Sequence, residues 1–157
     1  MIPEDALRTN LGGWKCGQPD RALFYASKRI VVLPEVTMMI AIVEDDASVR
    51  AATQSLVRSL GFAACSFSDA EEFLRSPCAT KASCLIADVQ MPGMSGIDLQ
   101  SILCDRGCDT PIIFVTAFSN ETVRARAMKA GAVSFLDKPV DVQTLIASLD
   151  QALNRRK

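Results

Sequence analysis

The 157-residue chain predicts a doubly wound α/β domain, and three observations carry that prediction. From Met38 onward, short apolar runs alternate five times with amphipathic stretches. The runs are apolar throughout rather than at every second residue, as strands are when a parallel sheet is covered on both faces. Four of the five runs also end in carboxylates, a threonine or a lysine, where such a sheet opens its functional crevice.

Taken in order, the first run is Met39 to Val43, which stops at Glu44-Asp45-Asp46. Asp46 caps a helix whose Val49, Ala52, Leu56, Val57 and Leu60 line one side, and Gly61 ends it. Ala63 to Phe67 is the second strand. Ser68-Asp69-Ala70-Glu71 after it reads as a capping box opening the next helix. Cys84 to Ala87, Ile112 to Thr116 and Val133 to Leu136 are the remaining strands. Gly93 and Gly96 serve the turn before the third helix. Behind Asp141 as cap, Val142, Leu145, Ile146, Leu149 and Leu153 keep the i, i+3, i+4, i+7 spacing of a last helix. Five such units predict a five-stranded parallel sheet of flavodoxin-like order 2-1-3-4-5 with helices on both faces.

Residues 1–37 break this pattern. They mix Gly12-Gly13, Pro3, Pro19 and Pro34 with five basic and four acidic residues, and Ile30 to Leu33 is their single strand-like run. They are read as an N-terminal extension without a fold of its own, with Met38-Met39 as an alternative start, and residues 38–157 as the domain. Neither a secretory leader nor an apolar run near the ~18 residues of a membrane span is visible, which predicts a cytoplasmic protein.

Composition narrows the chemistry. The formal net charge is -1, which removes the field that would draw the chain onto nucleic acid or an anionic membrane. The basic end Asn154-Arg155-Arg156-Lys157 suits a helix C-terminus and a solvated tail. No histidine is present, so Ser-His-Asp and Cys-His catalysis, His-ligated metals and phosphohistidine on this chain are excluded. Six cysteines show no CxxC pair and are read as reduced thiols, with Cys65 and Cys84 packing as small hydrophobes.

What remains is carboxylate, ammonium and hydroxyl chemistry at the strand ends. Strands one and three are neighbours in the predicted order, so Glu44, Asp45 and Asp88 converge. Three carboxylates stay ionised together only if a cation joins them, and hard oxygen ligands with an incomplete shell favour Mg²⁺. With Lys138 the charges then balance to zero. Strand four ends in Thr116 and strand five in Asp137-Lys138-Pro139. A carboxylate beside Mg²⁺, facing an ammonium and a hydroxyl, is suited to accept a phosphoryl group by in-line displacement, with Asp88 as nucleophile. A carboxylate is already reactive at neutral pH, so the missing histidine is no obstacle.

The stretches Ile42 to Asp46, Leu85 to Gly96, Val115-Thr116-Ala117 and Phe135 to Pro139 resemble the CheY-like receiver domain of two-component response regulators. Ala70 to Leu74 and Arg126 to Ala132 are similar to the receivers of nitrogen-fixation-type (FixJ-like) transcriptional regulators. The resemblance spans residues 38–157 and implies a phosphoacceptor at Asp88. It implies Mg²⁺ on Asp45, Asp88 and the Gln90 backbone carbonyl, with Glu44 assisting. It assigns phosphoryl contacts to Thr116, Ala117 and Lys138, a switching aromatic to Phe135, and a cis bond before Pro139. It further implies a sensor histidine kinase as donor and a downstream partner or second copy on the face between the fourth and fifth helices. Gln90 and Phe118 occupy the positions that tune phosphoryl lifetime; the bulk of Phe118 is expected to exclude water, so that Phe118→Glu or Phe118→Asn changes the decay rate.

Each site residue alone has a plainer explanation: Asp46 as a cap, Thr116 as a β-branched strand residue, Phe135 as a core aromatic. Jointly these do not account for carboxylates, Thr and Lys at the ends of four strands. An aspartyl-phosphate hydrolase of the haloacid-dehalogenase kind wants a second Asp where Gln90 stands. The chain ends just after the fifth predicted helix, so it is read as a stand-alone receiver that is not itself an enzyme, the alternative being the receiver fragment of a DNA-binding regulator.

Overall fold

The strand-like runs pair as their apolarity predicts. The computed structural model describes residues 37–155. The extension read over residues 1–37 lies outside the described residues except for Thr37, as do Arg156 and Lys157 of the basic end. The strands are β1 (Met39–Val43), β2 (Ala63–Phe67), β3 (Cys84–Asp88), β4 (Ile112–Thr116) and β5 (Ser134–Asp137). All four pairings are parallel, and the order is β2-β1-β3-β4-β5, the predicted 2-1-3-4-5. β3 runs one residue beyond the predicted Ala87, and β5 is displaced by one from Val133–Leu136. Apolarity alone ends these two strands at Ala87 and Leu136, whereas pairing continues into the carboxylates: Asp88 sits opposite Val115 and Asp137 opposite Thr116.

Among the described residues six helices flank the sheet: α1 (Ala47–Ser59), α2 (Ala70–Arg75), α3 (Cys78–Lys81), α4 (Gly96–Asp105), α5 (Glu121–Lys129) and α6 (Val142–Asn154). Five were predicted. The extra one, α3, is a single turn opened by Pro77 at φ -61° and too short to show a periodicity. The face predicted between the fourth and fifth helices is therefore that of α5 and α6.

Strand alternation divides the core in two. On one face Val43, Leu85, Phe114 and Phe135 pack with Phe73, Leu99, Leu103 and Ala127 from α2, α4 and α5. On the other, Ile40, Ile42, Ile86 and Ile113 pack with Val57 of α1 and Leu145 and Leu149 of α6. Each fully buried Leu, Ile or Phe contributes about 1.5–3 kcal/mol, enough to hold the strand ends in fixed relation. No helix among the described residues is long and apolar enough to cross a membrane.

The caps agree with sequence logic except at α2. Asp46 accepts from the Ser48 and Val49 amides, and Asp141 from the Thr144 amide. The cap of α2 is Asp69, not Ser68, and the Ser68 amide and hydroxyl donate to Glu72 Oε2 at 3.2 and 2.9 Å. A complete capping box occurs instead at α4, where Ser95 and Asp98 exchange bonds of 3.1 and 3.2 Å. Cys65, Cys78, Cys104 and Cys108 are thiols outside any disulfide and Cys84 is fully buried; burial, with the Cys78 hydrogen bond beside it, pushes the Cys65 thiol up to about 12. Cys16 lies outside the described residues.

Candidate functional site

The carboxyl ends of β1, β3 and β5 meet at one edge of the sheet. Glu44 follows β1 directly and Asp88 ends the adjacent β3, so strand pairing sets these two side by side, whereas Lys138 follows β5, two strands from β3, and its long side chain reaches back past the end of β4 to meet them. Lys138 Nζ lies 2.7 Å from Glu44 Oε2 and 2.9 Å from Asp88 Oδ2. Glu44 and Asp88 are 5% and 6% exposed, so the ammonium is the counter-charge that lets two buried carboxylates persist side by side. Burial drives the Glu44 carboxyl above its ordinary pKa, against the Lys138 hydrogen bond. For Lys138 burial acts downward but is outweighed by hydrogen bonds to Glu44 and Asp88, and its pKa lies above the usual lysine value.

Asp45 is exposed and completes the cluster: one carboxylate oxygen from each of Glu44, Asp45 and Asp88 falls within 4.8 Å of the others. Three hard oxygen donors at that spacing, one of them open to solvent, suit a small divalent cation that keeps part of its water shell. The residues present therefore fit Mg²⁺.

The surrounding backbone fixes these side chains. Arg50, one turn into α1, donates from Nη1 to the Glu44 carbonyl at 2.7 Å, and the Asp46 amide donates to Glu44 Oε1 at 3.1 Å. The Gln90 amide donates to Asp88 Oδ1 at 3.0 Å. Gly96 packs under the site: a Cβ there would stand 2.3 Å from the Asp88 carbonyl oxygen. The Lys138–Pro139 bond is cis, as the resemblance implied.

Beside the carboxylates, Thr116 is fully buried at the end of β4. Its hydroxyl accepts from the Phe118 amide at 3.1 Å and donates to the Phe118 carbonyl at 3.2 Å. Ala117 is exposed, and so is Phe118, whose 70% exposure places its ring away from the carboxylates in this arrangement. Phe135 is buried against Phe114, with ring centroids 6.2 Å apart. Gln90 and Pro139 stand exposed at the rim.

Sequence reasoning missed Arg50 and Arg124. Arg50 falls one turn into α1, but only the apolar face of that helix was read. Arg124 lies on α5, donates from Nη1 to the Phe135 carbonyl at 2.9 Å and places Cζ 4.8 Å from the Phe135 ring centroid. Nothing in its local sequence signals a partner eleven residues away.

Carboxylates held by an ammonium at the crevice of a 2-1-3-4-5 sheet define a class, the doubly wound domains with an acidic, cation-competent crevice. The chain belongs to the response regulator receiver domain family, which matches residues 40–150. It is 40% identical over 117 residues to nodulation protein W of Bradyrhizobium diazoefficiens, covering 74% of this chain and 52% of that protein. Response regulator protein TmoT of Ectopseudomonas mendocina is 41% identical over 115 residues, 73% of this chain and 52% of the relative. Among solved structures, response regulator StyR superposes with a TM-score of 0.71 at 40% identity, over 76% of this chain and 60% of that one. The structure titled FixJ-N gives 0.67 at 32% identity, covering 74% and 94%. The chain spans about half the length of the curated relatives it matches.

Proposed function

We propose that this receiver accepts a phosphoryl group on Asp88 from the phosphohistidine of a separate sensor kinase and signals by the rearrangement that follows. The observation that carries the reading is the placement of Lys138 on Asp88 and Glu44, with Asp45 completing an acidic cluster at the strand ends. An Asp88 carboxylate oxygen attacks phosphorus, the bond from phosphorus to the donor breaks, and the electron pair leaves with the donor. No proton has to move to Asp88.

In this reading the other residues bind and orient. Lys138 releases Asp88 Oδ2 and faces the phosphoryl oxygens, Thr116 turns its hydroxyl toward them, and the Ala117 backbone lines the same side. Glu44, Asp45, Asp88 and the Gln90 carbonyl would hold Mg²⁺, which would supply positive charge beside the transferring group. Phe135 follows Thr116 as the switching aromatic, and Phe118 with Gln90 controls the access of water to the acyl phosphate. The Phe118 ring is exposed at rest. Output passes through the face of α5 and α6, to a further domain or to another protein. Residues 38–157 act as the receiver in a cytoplasmic phosphorelay, with no direct contact to nucleic acid or membrane.

The test is incubation with acetyl phosphate and Mg²⁺, followed by intact mass. The parent chain gains one phosphoryl group, and neither Asp88→Asn nor the parent with excess chelator does. A parent chain that stays unmodified overturns the proposal.

A further inference from the structure

Arg124 joins α5 to β5 through three chemically different contacts. Nη1 donates to the Phe135 carbonyl at 2.9 Å, Nη2 lies 3.7 Å from Asp137 Oδ2, and Cζ stands 4.8 Å from the Phe135 ring centroid. A fourth contact, Nε to Glu121 Oε1 at 3.5 Å, stays within the helix. The two ion pairs are exposed and contribute little, whereas the bond to a strand carbonyl and the stacking over a buried ring fix geometry.

The same residue is tied to the Thr116 loop. Its amide donates to the Asn120 carbonyl at 2.8 Å, closing the first turn of α5, and Asn120 caps that helix through the Thr122 and Val123 amides. Between β4 and this cap, the Thr116 hydroxyl is committed to Phe118. A hydroxyl has one proton to donate, so Thr116 reaches a group on Asp88 only by giving up the Phe118 carbonyl. That loosens the loop leading into α5, whose resting seat on β5 is held by the packing of Val123 and Ala127 and by the polar contacts of Arg124.

We infer that Arg124 is a positioning residue that holds α5 and the Phe135 ring in the resting arrangement, and so sets how strongly a phosphoryl group must bind to switch the domain. The inference rests on Asp88 being the acceptor. Contacts made only in the resting arrangement weaken the apparent binding of whatever favours the other one. Removing them strengthens it without touching the carboxylates, Thr116 or Lys138.

The experiment titrates the full chain with beryllofluoride in the presence of Mg²⁺, following backbone amide signals of residues 116–129 by NMR, with urea unfolding run in parallel. Losing one hydrogen bond and one cation–π contact predicts a midpoint for Arg124→Met lower by ~3- to 10-fold. Arg124→Lys, which keeps the charge but not the fork, falls between the two. In a Phe135→Leu background the effect of Arg124→Met shrinks, because its ring partner is gone. A purely structural Arg124 lowers the urea midpoint and leaves the beryllofluoride midpoint where it was. That result, or a raised midpoint, overturns the inference. If Arg124→Met does not fold, Arg124→Lys carries the test under the same criterion. Failure of the parent chain to bind beryllofluoride at all removes Asp88 as acceptor and the inference with it.

Discussion

Lys138 carries the most electrostatic responsibility of any side chain in the domain. It faces two buried carboxylates at 2.7 and 2.9 Å, and its own pKa is raised by them despite its partial burial. Lys138→Met leaves Glu44 and Asp88 together without a counter-charge. Discounted for partial exposure, the loss of stability is about 1–3 kcal/mol in chelator, and Mg²⁺ recovers much of it by binding the freed oxygens. Urea unfolding with and without Mg²⁺ reads this directly; a variant as stable as the parent in chelator contradicts it. The residue scale is also where sequence and structure agree most closely. Glu44, Asp45, Asp88 and Lys138 were legible because a parallel sheet converts strand-end position into proximity, so chemistry could be read from residue type alone. Arg50 and Arg124 were not, because a long side chain reaching a distant carbonyl leaves no mark in local periodicity.

Among the elements, the start of α4 is the one most tightly built against the site. Ser95 and Asp98 form its capping box, and Gly96 leaves no room for a side chain above the Asp88 carbonyl. Gly96→Ala forces that backbone apart and costs about 1–3 kcal/mol as overpacking, although alanine is the better helix former. Thermal unfolding measures the cost, and the rate of phosphoryl uptake from acetyl phosphate falls with it; an unchanged melting temperature contradicts the packing argument. Here the sequence was only partly readable. Gly93-Met94-Ser95-Gly96 signalled a turn, but which glycine is sterically required depends on the approach of β3, which is a tertiary fact. The displaced cap at α2 has a similar origin: Ser68 and Asp69 are both good caps, and backbone direction out of β2 selects between them. The single-turn α3 was invisible because four residues carry no period.

At the scale of the whole molecule, the order 2-1-3-4-5 was recoverable because five buried apolar runs with helical connections admit few parallel arrangements. The family match over residues 40–150 falls within the 38–157 domain read from composition. A chain beginning at Met38 is accordingly expected to fold and to take up phosphoryl from acetyl phosphate at the rate of the full chain. A slower rate, measured by intact mass over time, assigns residues 1–37 a part in the site. The matched relatives are about twice as long as the aligned region. In the switch proposed above, α5, Arg124 and Phe135 would link the carboxylate site to the proposed output face of α5 and α6.

Asp88, rather than Glu44 or Asp45, is the proposed acceptor of the phosphoryl group. Borohydride reduces an aspartyl phosphate to homoserine and leaves free carboxylates untouched, so reduction after acetyl phosphate treatment followed by peptide mass spectrometry reads the acceptor directly. The account predicts homoserine at position 88 alone, and only when Mg²⁺ is present; homoserine at position 45, a reduced side chain at Glu44, or no reduced residue anywhere contradicts it.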